Sequence, residues 1–429
     1  MAKYQAYAEY KDSEVEWLGE IPSHWKLTRL KFLAKIRNGQ DYKHVETETG
    51  FPVMGSGGQF TFSSTYMFDR PSVLLGRKGT IDKPLYIDEP FWTVDTMYYT
   101  EVNKDIDVKY FYYLSKTILF NRYSTNTALP SMTQENLNNF EFSVPPSVFE
   151  RNQIRNFLDH ETTKIDHLIE KQQQLIELLK EKRQAVISHA VTKGLDPNVP
   201  MKDSGVEWLG QVPEHWNMAP VRRYLVEHRQ GYYTTESYVD EGLKLLRITD
   251  LRDLGEINIS NCPMVNESDT THLFKLQKGD VVFARTGGAG SFGVITEDYE
   301  NLIYASYLIR FRFMNKIFEP DYLRFLFQSD SFQLSVKQNI HGGVNQNIHA
   351  EDIKNTVICA PSLSEQKEII EYLENQCLLF ENLIYKASYS VKLMQERRTA
   401  LISSAVTGKI DVRNWQAPTL AEAKTELSA

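Results

Sequence analysis

The sequence predicts an α+β chain: two mixed α/β blocks separated by two long antiparallel helices, arranged as an internal pseudo-two-fold repeat. Three observations carry this prediction. Asp12–Trp25 reads DSEVEWLGEIPSHW and Asp203–Trp216 reads DSGVEWLGQVPEHW, with ten of fourteen positions identical at an offset of 191. Ser147–Asp196 returns as Ser362–Asp411 at an offset of 215, without a gap. The two intervening blocks differ in sequence but carry their features in the same order. A long-period duplication implies two similar folding units. Such a molecule suits a partner with two-fold character of its own, and duplex DNA is one.

The order along the chain is therefore a short segment (1–25), a block (26–146) and a long helix (147–193). It continues with the repeated segment (194–216), a second block (217–361), a second long helix (362–411) and a tail (412–429). The second block is 24 residues longer than the first.

The helices are dictated locally. Pro146 precedes Ser147-Val148-Phe149-Glu150, and Pro361 precedes Ser362-Leu363-Ser364-Glu365. In such an S-x-x-E box the Ser oxygen accepts from the third helical N–H, and the Glu reaches back to the Ser N–H. Apolar residues then recur at spacings of three, four and seven. The first stripe includes Ile154, Leu158, Ile165, Leu168, Leu175, Leu179 and Val186; the second includes Ile369, Leu373, Phe380, Leu383, Met394 and Leu401. Gln172 and Ala387 interrupt the seam, and Gly194 and Gly408 suit the C-terminal caps. A rod of about 60 Å results from roughly 1.5 Å per residue. Its apolar stripe must be buried, and its own repeat is the nearest partner.

Each block has a short apolar strand that runs into an Arg and a Gly-rich turn: SVLLG-Arg77-Lys78-Gly79 and DVVFA-Arg285-Thr286-Gly287. Strand-like stretches follow (FWTVDTMYYTEV, LIYASYLIRFRF), then aromatic-rich helices (VKYFYYLSKTILF, PDYLRFLFQSDSF). Each block closes in a polar loop, residues 128–136 and 342–349. The tail beyond Trp415 is expected to be loosely ordered.

Totals limit the function class. The chain has 429 residues, enough for two or three domains, and a net charge of -8. That charge argues against coating DNA by electrostatics alone. Cys262, Cys359 and Cys377 are scattered, so neither a disulfide framework nor a zinc site is expected, and a cytoplasmic setting fits. No apolar run reaches transmembrane length, and the polar N-terminus lacks the apolar stretch of a signal peptide.

Several constellations have two readings. Gly288-Ala-Gly290-Ser-Phe-Gly293 matches a dinucleotide fingerprint, but Val294-Ile295-Thr296 continues as strand rather than helix, so a turn is the better reading. No Walker A sequence occurs, and the single Pro-Pro pair, Pro145-Pro146, lacks the neighbours of an amino-methyltransferase loop. His24 and His215 fit packing or capping better than acid–base work. Trp17, Trp25, Trp208 and Trp216 are large anchors, fastening each segment to a helix or a partner subunit. Arg77, Lys78 and Arg285 can contact phosphate or guanine O6 and N7, or form surface ion pairs. Ser131, Thr133, Gln134 and Asn136, and Asn345, Gln346 and Asn347, can read adenine N6 and N7 or serve as ordinary turn residues. The aromatic helices fit core packing better than base stacking.

The chain resembles the specificity subunit of type I restriction–modification enzymes. The carriers are the DSGVEWLGQVPEHW segment and its copy, the lead-ins SVPPSVFERNQIRNFLD and CAPSLSEQKEIIEYLE, and the helix ends EKRQAVISHAVTKGLD and ERRTALISSAVTGKID. The resemblance implies that the blocks are two target recognition domains, each reading half of a split double-stranded DNA site. The helices would be spacers holding them a fixed distance apart. The chain would be non-catalytic and bind no cofactor itself. It would bind two methyltransferase subunits, which use S-adenosylmethionine to modify adenine N6, and two restriction subunits driven by ATP and Mg. Unlike blocks imply an asymmetric site. Two other readings stay open: a related system whose partner fuses methylation and cleavage, and a coiled-coil scaffold that binds no DNA.

Overall fold

The repeated segment folds as a small antiparallel hairpin. Tyr10–Asp12 pairs with Glu20–Pro22, and Met201–Asp203 pairs with Gln211–Pro213 in the same register. The computed structural model describes residues 4–123, 130–286, 288, 290–314, 316–338 and 347–417. Val148–Lys193 and Leu363–Val406 form the two long helices. The chain divides into two units, Met1–Gln172 with Tyr389–Ala429, and Gln173–Ser388. Each long helix therefore gives its first part to one unit and its last part to the other.

In the first unit the two helical parts run antiparallel. Gln153 Nε2 donates to the carbonyls of Arg413 and Trp415, and farther along the helix Arg398 makes a two-pronged ion pair with Asp166, at 2.7 and 3.0 Å. The core gathers Trp25, Ile154, Phe157, Leu158, Leu401 and Ile402. A four-stranded sheet lies in this unit, in the order Ala34–Asn38, Met97–Val102, Ser72–Gly76, Leu85–Ile87, antiparallel throughout. A second sheet includes Phe51–Gly55, which pairs in parallel with Trp92–Thr93.

The second unit repeats this plan with different residues. Its four-stranded sheet runs Leu225–Gln230, Leu308–Phe313, Asp280–Ala284, Phe292–Val294. Its smaller sheet has Leu243–Leu246 parallel to Leu302–Tyr304. In both units the inner strand, SVLLG or DVVFA, is buried at every position. A strand covered on both faces is apolar along its length rather than alternating. Asp280 is tolerated there because Arg312 binds both its carboxylate oxygens at 2.8 Å. Most of the added length of the second block lies between Gly231 and Arg285.

The aromatic helices Val108–Ser115 and Pro320–Gln328 are core elements: Tyr110, Phe111, Tyr113, Tyr322, Phe325 and Phe327 are buried. The apolar stripes of the long helices are buried only in part. Ile154, Leu158, Ile165, Ile369 and Leu373 are covered, but Leu168, Leu175 and Leu383 are 41%, 43% and 39% exposed. In the first helix the stripe is covered toward the ends and emerges at Leu168 and Leu175; in the second, Phe380 and Ala387 stay buried on either side of the exposed Leu383.

Each hairpin segment joins two helix ends. In the first unit Trp25 donates to Glu150 near the start of the first long helix, at 2.9 Å, and its ring lies 3.3 Å from a Cβ built on Gly408, beyond the end of the second. In the second unit Trp216 donates to Glu365 at 3.1 Å and lies 3.4 Å from a Cβ built on Gly194. Both glycines have left-handed backbone, at φ 77° and 76°. The sequence orders Lys193-Gly194 and Gly408-Lys409 are reversed, yet both lysines reach equivalent carbonyls. Lys193 donates to Leu209 and Gln211, and Lys409 to Leu18 and Glu20. The linear boundaries drawn from sequence thus differ from the compact units, because each segment docks on the end of the helix that the other repeat supplies.

Candidate nucleic-acid interface

The sequence-predicted Arg turns and polar loops come together within each unit. In the first unit the Arg77 carbonyl accepts from Met132 N–H at 2.9 Å, and Lys78 forms a bridge with Ser131. The Arg77 backbone N–H donates to Thr96 at 2.9 Å. Its side chain donates to the Asp95 carbonyl at 3.1 Å and lies 5.9 Å from the Tyr98 ring centroid. Burial pushes the Tyr98 phenol up, against the nearby Arg77 guanidinium, so it stays protonated and donates to the Met132 carbonyl at 3.2 Å. Lys78 is exposed. Gln134 donates to Asn38 Oδ1 at 3.0 Å. Asn136 is engaged in local structure: its N–H donates to the Thr133 hydroxyl and its amide to the Tyr123 carbonyl.

The second unit builds the same junction. Ile348 N–H donates to the Arg285 carbonyl at 3.0 Å, and Thr286 bridges Asn347, with a 2.6 Å bond between their side chains. Arg285 N–H donates to Tyr307 at 2.8 Å. Arg285 lines an open recess with Arg229, Gln230, Tyr233 and Tyr307. Tyr233 and Tyr307 are 73% and 62% exposed. Asn345 and Gln346 lie outside the described residues.

The family model described as the type I restriction modification DNA specificity domain matches residues 22–178 and 244–382. The chain belongs to this family. The specificity subunit of the type I restriction enzyme EcoBI from Escherichia coli is 22% identical over 95% of this chain and 91% of its own length. That of MjaVIII from Methanocaldococcus jannaschii is 22% identical over 96% of this chain and 98% of its own. A solved chain, described as "Structural basis underlying complex assembly and conformational transition of the type I R-M system", covers 91% of this chain and 99% of itself, with TM-score 0.68 and 14% identity. That likeness supports the fold.

Within this specificity-family chain the four tryptophans take different positions. Trp25 and Trp216 are buried. Trp17 packs against Phe140, with ring centroids 5.2 Å apart, whereas Trp208 is 37% exposed. His24 and His215 bind Glu150 and Glu365, the same carboxylates that hold the buried tryptophans. Burial would raise the Glu365 carboxyl, but bonds from His215, Trp216 and Ser362 outweigh it and bring the group down to about 2. Ser362 and Glu365 form both halves of the capping box. Ser147 accepts from Glu150 N–H, while the Glu150 carboxylate is held by Tyr7, His24 and Trp25.

Burial pushes the Cys262 and Cys359 thiols up to about 12. Among the described residues no cluster of three His, Cys, Asp or Glu could hold a metal ion, and no helix is long and apolar enough to cross a membrane.

Sequence reasoning missed one part of the junction. Strands Ala34–Asn38 and Leu225–Gln230 both end beside a glycine, in Arg37-Asn38-Gly39 and Arg229-Gln230-Gly231. A Cβ on Gly39 would stand 2.0 Å from the Val94 carbonyl oxygen, and one on Gly231 2.1 Å from that of Ala305. The signal was an Arg-amide-Gly triplet at an offset of 192, one residue from that of the repeated segment. It is too short to stand out without knowing that two strand ends coincide there.

Proposed function

We propose that the chain is the non-catalytic recognition subunit that binds a bipartite, asymmetric double-stranded DNA site, one half through each block. It directs partner adenine-N6 methyltransferase and restriction subunits to that site. The observation that carries this reading is the junction of Arg turn, polar loop and strand-end amide, built twice on one strand order with different side chains at its surface. Two similar frames with unlike surfaces suit two unlike half-sites. Arg presents a fork matched to guanine, and Asn or Gln an amide matched to adenine. The long helices serve as spacers in this reading. S-adenosylmethionine, ATP and Mg act on the partner subunits, two methyltransferase and two restriction chains, in the cytoplasm.

The test is co-expression with the neighbouring methyltransferase subunit in a methylation-free host, followed by genome-wide mapping of N6-methyladenine. One split motif with unlike halves is the expected result. No methylation, with an intact and bound methyltransferase, would overturn the proposal.

A further inference from the structure

Asn38 and Gln230 occupy matched places that nothing in the alignable repeats predicts. Each is exposed and immediately precedes a glycine wedged against a carbonyl of the adjoining strand connection. Gly39 N–H donates to Met97 at 3.0 Å and Gln40 N–H to Thr93 at 2.9 Å. Gly231 N–H donates to Leu308 at 2.9 Å and Tyr232 N–H to Tyr304 at 2.8 Å. The backbone on the C-terminal side of each amide is thus pinned at two successive positions, and no side chain fits at the glycine. The connection that pins it also receives the backbone N–H of Arg77 or Arg285. In each unit, an exposed amide and an arginine are fixed to the same few residues of chain.

The two amides differ in what they leave available. Asn38 accepts from Gln134 through Oδ1, which leaves its N–H donors uncommitted among the described residues. Gln230 donates to the Ser306 carbonyl through Nε2, which leaves its Oε1 acceptor uncommitted in the same sense. Reading a base edge requires a donor or acceptor held by a rigid frame rather than by a free loop. An amide can also donate to a phosphate oxygen, but such a contact carries no sequence information, so the effect on specificity separates the two.

We propose that Asn38 and Gln230 are specificity-determining residues, one for each half-site, each contacting a base beside the position read by Arg77 or Arg285. This rests on the bipartite-recognition reading above. Asn38 supplies a donor and Gln230 an acceptor, so the two halves differ in the base edge they accept at the matched position.

The experiment uses the full chain with its methyltransferase partner and compares wild type with Asn38→Ala, Asn38→Asp, Gln230→Ala and Gln230→Glu by mapping N6-methyladenine. The wild-type map tests the function itself: a split motif upholds it, and its absence fails that reading before the variants are compared. Given a wild-type motif, Asn38→Ala should relax one base position in one half by about 5- to 150-fold in discrimination, leaving the other half intact. Gln230→Ala should do the same in the opposite half. Asn38→Asp should change the preferred base at that position, because an ionised acid offers only acceptors, whereas Gln230→Glu keeps an acceptor and should retain the wild-type base preference. An unchanged motif in the alanine variants, or methylation reduced equally on all sequences, would overturn the proposal. The acids keep the side-chain size, and a melting temperature within a few degrees of wild type shows that the frame is retained. Loss of the fold in both variants of a pair would assign that residue to structure and also overturn it.

Discussion

The indole of Trp25 donates to Glu150 at 2.9 Å, joining residues 125 positions apart. Glu150 is 3% exposed and also holds the Tyr7 hydroxyl at 2.9 Å. This carboxylate near a helix start is where the hairpin segment fastens to the first long helix. The equivalent Glu365 has a side chain 31% exposed, so water shares in its solvation.

Trp25→Phe should keep most of the apolar bulk and remove one hydrogen bond to a buried charge. The expected loss is about 1.5–3 kcal/mol, seen as a lower urea midpoint by circular dichroism. Trp216→Phe should cost less, because Glu365 can recruit water. Equal losses would show that exposure of the carboxylate does not govern the contact.

The Glu365 cap predicts an acid-sensitive contribution. Its folded value, about 2, lies below the ordinary 4.5. The ionised form therefore stabilises the second unit above pH about 4.5, and that contribution fades as the pH falls toward 2. Glu365→Gln should flatten the pH dependence of the unfolding midpoint in this window. An unchanged slope would remove Glu365 as its source.

Gly194→Ala and Gly408→Ala share a left-handed backbone, which costs about 1–2 kcal/mol for a residue with a Cβ. Their surroundings differ. A Cβ at 408 would lie 2.4 Å from the Pro22 ring, whereas one at 194 would meet Trp216 at 3.4 Å. Gly408→Ala should therefore lower the thermal midpoint further than Gly194→Ala. The reverse order would mean that the Pro22 contact yields easily.

Arg77→Ala and Arg285→Ala should each weaken specific DNA binding by about 1–3 kcal/mol and relax specificity in one half-site. Competition binding against singly substituted duplexes reads both effects. Uniform weakening on all sequences would identify a phosphate contact. No change would remove that arginine from recognition.

Much of the architecture was legible because it is encoded locally or repeated. The Pro-Ser-x-x-Glu lead-ins mark the start of both helices, and Gly194 and Gly408 mark their ends. The buried strands SVLLG and DVVFA appear as apolar runs. The stripe was over-read at Leu168, Leu175 and Leu383, because helical spacing says which residues share a face but not how far the covering layer extends. Arg77 and Arg285 were found from matched strand–turn patterns, and the structure sets them beside the loops that contain Met132 and Ile348. Asn38 and Gln230 were missed because their importance comes from a strand connection about 55–75 residues downstream.

The sequence by itself determined the duplication, the long helices and their caps, because side-chain periodicity and capping act within a few residues. Tertiary structure decided that the segment ending at Trp25 joins the start of one long helix to the end of the other. It also decided that Gly39 and Gly231 wedge against distant carbonyls to fix the surface junctions. Those choices depend on close packing between residues far apart in sequence, where a single Cβ at 2.0 or 2.1 Å from a backbone oxygen is enough to forbid the arrangement.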